Sequence, residues 1–124
     1  MTSPFKGKTG IRRIINAASY SLDGLKAAYV GEAAFRQLTW MAMVLVPLAL
    51  WLDVTRFEKA LLVAVVLFSL VIELFNSAVE AAIDRISLER HELSKQAKDM
   101  GSAAQMVGLA IIALTWGLIL IPAM

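Results

Sequence analysis

Residues 60–84 read ALLVAVVLFSLVIELFNSAVEAAID: an uncharged run from Ala60 to Ile72 that passes without a break into Glu73, Asn76, Ser77, Glu80 and Asp84. The apolar pattern continues through the acidic part at Leu74, Phe75, Ala78, Val79, Ala81, Ala82 and Ile83. One long helix is therefore expected, beginning in hydrocarbon and emerging into water. At about 3.6 residues per turn, Ser69, Glu73, Asn76, Ser77, Glu80 and Asp84 project within roughly a third of a turn of one another, with Glu73 and Asp84 about 16 Å apart along the axis. One face of this helix is a ladder of carboxylates and amides that spans the membrane boundary.

The rest of the chain agrees with a membrane class. It has 124 residues, of which 59% are apolar, and a mean hydropathy of +0.69. A soluble domain this short could not hide so much apolar surface. Gln37 to Leu52 is a second uncharged run, short for a span unless its helix starts near Glu32 and Arg36 snorkels. Pro47 removes one backbone bond from it, and Trp40 and Trp51 suit aromatic belts. Gly101 to Met124 is a third run without any charge. The spans predicted are about 33–52, 57–84 and 99–122, with Arg85 to Lys98 a loop or surface helix.

Upstream, Ile11, Ile14, Ile15, Ala18, Leu22, Leu25 and Tyr29 recur at spacings of three and four, opposite Arg12, Arg13, Asn16, Ser19, Asp23 and Lys26. That pattern predicts an amphipathic helix over about 11–29, lying in the membrane interface on its apolar side. Residues 1–10 read as a mobile tail, leaving 11–124 as one membrane-embedded unit. No apolar leader with a cleavage site follows Lys6 and Lys8, so a retained N-terminus is expected. Lysine and arginine number six before the first span, two in the first loop, four in the second and none after the third. This asymmetry puts the N-terminus and second loop in the cytoplasm, where ATP is.

An ionisable residue at membrane depth calls for a functional reading first. A poorly hydrated carboxylate such as Glu73 could take a proton from a hydroxyl delivered by the lipid phase. Glu80 and Glu32, nearer water, could hold Mg²⁺, which prefers oxygen ligands and bridges to substrate phosphates. Arg13, Lys98 and Arg85 would supply positive charge at the cytoplasmic rim, and phosphoryl transfer asks for little more than metal, charge and alignment. A polar face that only glues helices together would use the same residue types.

Other signals carry nothing. Gly7-Lys8-Thr9 lacks the upstream glycine and strand of a phosphate-binding loop. The chain has no cysteine and a single histidine, His91, which excludes disulfides, thiol nucleophiles and histidine metal clusters. A net charge of +2 with mixed signs gives no support for nucleic-acid binding.

Three strings then narrow the class: Glu32-Ala33-Ala34-Phe35-Arg36-Gln37; Glu73-Leu74-Phe75-Asn76-Ser77-Ala78-Val79-Glu80 with Asp84-Arg85; and His91-Glu92-Leu93-Ser94 followed by Ala97-Lys98-Asp99-Met100-Gly101-Ser102-Ala103-Ala104. Together they resemble the signatures of the prokaryotic diacylglycerol kinases over nearly the whole chain. The resemblance implies an all-α integral membrane homotrimer in the bacterial inner membrane, each chain with a surface helix and three transmembrane helices, and composite sites at subunit boundaries. It implies transfer of the γ-phosphate of MgATP to the hydroxyl of diacylglycerol, giving phosphatidic acid and ADP. Glu73 matches the family's base, and Glu32 and Glu80 match its metal ligands. Nucleotide contacts would include Glu32 and Glu80 and fall also on Arg13, Tyr20, Asn76, Asp84, Glu89, His91, Lys98 and Asp99. Lipid contacts would fall on Arg13, Ala18, Ser21, Lys26, Trp51, Glu73, Ser102 and Trp116.

The chain departs from the family at Leu22, where a tryptophan is common, with Tyr29 as a later aromatic, and at Arg90, where a tyrosine is often found. These positions flank the acyl-chain and adenine contacts. Two other readings use the same residues: an undecaprenol kinase, with a polyprenol as acceptor, and a non-enzymatic transport or assembly subunit with a polar-lined path.

Overall fold

The computed structural model describes residues 10–122, so the tail expected over 1–10 lies, except for Gly10, outside the described residues. Four helices follow in order: α1 (Gly10–Gly31), α2 (Ala33–Trp51), α3 (Arg56–Ile86) and α4 (Glu92–Leu120). The last three are long and apolar enough to cross a membrane.

α1 and α2 are separated by one residue. Glu32 has extended dihedrals, φ −123° and ψ 111°, and the chain turns about it. The turn leaves the last carbonyls of α1 without helical donors. Arg36, one turn into α2, reaches back and donates from Nη1 to the carbonyls of Tyr29 (2.8 Å) and Val30 (2.9 Å). The Trp40 indole nitrogen donates to the Tyr29 hydroxyl at 3.1 Å. An arginine expected to snorkel thus also caps the preceding helix and pins the elbow. Ile11, Ile14, Ile15 and Leu22 of α1 are all more than half exposed.

α3 starts at a capping box. Thr55 Oγ1 accepts from the Glu58 amide (3.1 Å) and Glu58 Oε1 accepts from the Thr55 amide (3.0 Å), which satisfies two donors that the first turn otherwise leaves open. Thr55→Ala is expected to cost about 1 kcal/mol, read as a lower thermal inactivation midpoint in detergent micelles with kcat unchanged. At about 1.5 Å per residue, the 31 residues of α3 outrun a hydrocarbon core of roughly 30 Å. The helix must project from the bilayer at one end, as its acidic half requires.

The segment 85–98 differs in detail from the expectation. Only residues 87–91 are non-helical; from Glu92 onward the chain is already in α4. The reason is local. His91 caps the helix, its Nδ1 accepting from the Leu93 amide at 3.0 Å, and Glu92 sits in the first turn, where a negative charge complements the helix dipole. The polar stretch is therefore the extramembrane end of α4, alongside the extramembrane end of α3.

α3 is central, packed along α4 on one side and α2 on the other, with α1 resting more lightly on α2 and α3. The core is Ala42, Val65, Val66 and Ile112, flanked by Met41, Leu45, Val46, Leu70, Ile111 and Trp116. Small residues let the helices close. A side chain at Gly108 would put its Cβ 2.7 Å from Ile72 Cδ1. Outward-facing Phe57, Phe75 and Leu118 are each at least 70% exposed, a liability in water but ordinary against acyl chains.

Candidate active site

Glu73 and Ser69 are the buried polar side chains among the described residues. Glu73 is 5% exposed and lies on α3 where it faces α4. Its partner is Gln105 of α4, whose Nε2 donates to Glu73 Oε2 at 3.0 Å and to the Ser69 carbonyl at 3.2 Å. The Ser69 hydroxyl donates to its own helix at Val66, 2.6 Å away. Among the described residues this carboxylate is held by a single neutral amide, with no cation paired to it.

One turn outward, Asn76 Oδ1 and Ser77 Oγ are buried without a hydrogen-bond partner. Unpaired buried oxygens cost free energy, and these two lie within about one turn of the buried carboxylate. Asn76 packs so closely on α4 that a Cβ at Gly101 would overlap its side-chain oxygen. Gly101 is therefore the residue that lets Asn76 lie between the helices. Asn76 and Gly101 border a groove with Phe68, Phe75, Met100 and Ala104, of about 570 Å³ and open to the lipid-facing side.

Beyond this, where α3 and α4 leave the membrane, Asp84 accepts from Lys98 Nζ at 3.0 Å. Both side chains are about half exposed, so the pair adds little stability, and incoming phosphates could compete for the lysine. Asp84, Glu89, His91, Lys98 and Asp99 line one cleft of about 400 Å³. Five of the expected nucleotide residues thus meet in one place. Asp99 is also paired there with Lys95 at 2.7 Å.

The remaining residues are distributed elsewhere in the protomer. Glu32, half-buried at the elbow, lines a separate cavity of about 550 Å³ between α1 and α3 with Ser21, Gly24, Ala28 and Ser77. Glu80 is half-buried on α3, one turn past Ser77. Arg13, Ala18, Tyr20 and Lys26 are exposed on α1, and Ser102 is exposed on α4. Trp51 is 80% exposed at the end of α2. Trp116 is half-buried, its indole nitrogen donating to the Leu62 carbonyl at 3.2 Å. It stands about 16 Å along α4 from Gln105, toward the face opposite the ionic cleft. The two tryptophans could meet an acyl chain but not the reacting groups.

Mg²⁺ needs hard oxygen donors and is usually held by one or two carboxylates plus substrate phosphates. Among the described residues no group of three or more acidic or histidine side chains is gathered to hold a metal alone. Glu32 shares a cavity with Ser77, whose hydroxyl has no hydrogen-bond partner among the described residues, and Glu80 follows one turn further along α3. That donor set fits a cation that arrives with a nucleotide, and not a closed structural cage.

Gln105 is the site residue that sequence reasoning passed over. It sits in a run notable for having no charge, which hides a neutral amide. The available signal was a glutamine at membrane depth, where a polar side chain needs a partner on another helix.

A carboxylate buried between two membrane-length helices, with a cleft of paired charges at the far end of the same helices, belongs to a small multi-pass membrane protein. The family model of prokaryotic diacylglycerol kinase matches residues 19–120. The chain is 61% identical over 119 residues to a diacylglycerol kinase of Pseudomonas aeruginosa, covering 96% of this chain and 97% of that one. It is 47% identical over 112 residues to that of Escherichia coli K12, covering 90% and 92%. To that of Helicobacter pylori 26695 it is 45% identical over 114 residues, covering 92% and 88%. The chain belongs to the prokaryotic diacylglycerol kinase family.

Proposed function

We propose that this chain transfers phosphate from MgATP to diacylglycerol in the inner membrane with Glu73 as general base. The observation that supports the assignment is the burial of Glu73 at the α3–α4 contact, on the stretch of α3 that borders the lipid-facing groove and about 16 Å short of the ionic cleft. The lipid hydroxyl gives its proton to Glu73 while its oxygen bonds to the γ-phosphorus. The bond from that phosphorus to the bridging oxygen breaks, and ADP leaves with the electron pair. Glu32 and Glu80 would hold Mg²⁺, which would supply neutralisation of phosphate charge. Lys98 and Arg13 neutralise phosphate charge, with Tyr20, Asn76, Asp84, Glu89, His91 and Asp99 forming the rest of the nucleotide site. Ala18, Ser21, Lys26, Trp51, Ser102 and Trp116 bound the lipid.

The functional unit in this reading is a homotrimer with sites shared between chains. Supporting it, the residues assigned to one nucleotide fall in separate clefts of a single protomer, and α2 to α4 carry long exposed apolar faces. α1 lies in the interface on its isoleucine face, with the N-terminus and the 87–91 loop in the cytoplasm, as the lysine and arginine distribution favours.

The test is phosphate transfer from labelled ATP with Mg²⁺ to diacylglycerol and to undecaprenol in parallel mixed micelles. Product from diacylglycerol in excess is the expected result. Preference for undecaprenol would overturn the acceptor assignment, and absence of any lipid product would overturn the kinase reading.

A further inference from the structure

We infer that Gln105 is a positioning residue for the general base. Its amide clamps one oxygen of Glu73 against α4 and so fixes the direction in which the other oxygen can accept a proton. The inference rests on the assignment of Glu73 as base and adds a residue that none of the three signature strings contains.

The geometry leaves one orientation for the amide. Ser69 O and Glu73 Oε2 are both acceptors, at 3.2 and 3.0 Å, so the nitrogen and not the oxygen of Gln105 must face α3. The amide therefore donates both hydrogens across the helix contact. One holds it to the rigid backbone of α3, which makes it a fixed post and not a swinging contact. The other reaches the carboxylate. Glu73 Oε1 has no protein partner among the described residues, and it is the oxygen left to take the proton. A carboxylate on three free torsions would sample several rotamers; one tied at Oε2 presents Oε1 in a single direction.

Packing does not account for an amide here. Gln105 Oε1 is buried and accepts nothing, and a leucine or methionine would fill the same volume without stranding a carbonyl. Gly108, one turn on, makes the room: a Cβ there would fall 3.1 Å from Gln105 Oε1. Space on α4 is shaped around the glutamine, whose hydrogen bonds all go to the base and its own helix.

The test is a kinetic comparison of the native chain with Gln105→Leu and Gln105→Met, each also built into the Glu73→Gln background. Two apolar replacements of different branching guard against one that fails to pack. The expected result is a fall in kcat of about 10- to 100-fold, the size seen when an orienting partner is lost. KM for MgATP and for diacylglycerol should be unchanged, while the thermal midpoint should fall, because the buried Glu73 loses its hydrogen-bond donor. Added to Glu73→Gln, the same substitutions should lower the residual rate no further, since the amide acts only through the carboxylate. An unchanged kcat in the single variants overturns the inference. So does an equal further loss in the Glu73→Gln background, which would place the action of the amide elsewhere. The base assignment is judged separately: native turnover in Glu73→Gln removes it, whatever Gln105 does.

Discussion

Glu73→Gln is expected to lower kcat by about 10²- to 10⁴-fold, the range that a positioned general base contributes, with KM for MgATP and the thermal midpoint preserved. The substitution is close to isosteric. It keeps an oxygen that can accept the 3.0 Å bond from Gln105, so the α3–α4 contact survives and only the capacity to take a proton is lost. Stability should not suffer, because a neutral amide replaces a carboxylate that is 5% exposed and has no ion pair among the described residues, and burying an uncompensated charge is costly. Binding of MgATP should persist as well, since the ionic cleft of Asp84, His91 and Lys98 begins about 16 Å further along α3. Initial rates of labelled phosphate transfer to diacylglycerol, with nucleotide binding measured in parallel, check all three expectations. Turnover near the native rate would mean that the lipid hydroxyl is deprotonated elsewhere, and the burial of Glu73 would need a different account.

Those expectations rest on features that differ in how visible they are from sequence. The three long apolar helices were legible because lipid imposes a length and a composition that few other environments demand, as in the uncharged run of α4. The ladder on α3 was equally legible, because helical periodicity alone puts Glu73, Glu80 and Asp84 on one side. The clustering of Glu89, His91, Lys98 and Asp99 with Asp84 came from the family resemblance, and the structure brings those five to one cleft. What escaped were contacts set by one helix's rotation against another. Gln105 reaching Glu73, Gly101 admitting Asn76, and Arg36 capping α1 each depend on which faces meet, and spacing within a single helix holds no information on that. The start of α4 escaped for a different reason: a polar composition over 92–98 reads as a loop or a separate surface helix, whereas the His91 cap lets it continue the membrane helix into water. The cleft around Glu32 stays partly separate from the ionic one because residues on α1 reach α3 from its other side.

Glu80→Gln and Glu32→Gln should each lower kcat by about 10²- to 10³-fold, as loss of a group that organises transition-state charge does. Unlike Glu73→Gln, both should raise the Mg²⁺ concentration needed for half-maximal rate. The difference follows from geometry. Glu73 is buried and tied to Gln105, whereas Glu32 and Glu80 are half-buried, near enough to water for a hydrated cation to reach them. Among the described residues neither makes a hydrogen bond or an ion pair through its carboxylate, which leaves their oxygens available to a metal. Because Mg²⁺ takes only one or two carboxylates and completes its shell with phosphate and water, losing either should weaken binding without abolishing it, and excess Mg²⁺ should restore part of the rate. If both carboxylates hold the same ion, the double substitution should cost less than the two single losses combined. A Mg²⁺ titration of the native chain, both single variants and the double variant at fixed ATP and diacylglycerol measures this directly. Curves that superimpose once scaled for maximal rate would show that these carboxylates act on something other than the metal, and the assignment of Glu32 and Glu80 would fall with Glu73 left in place.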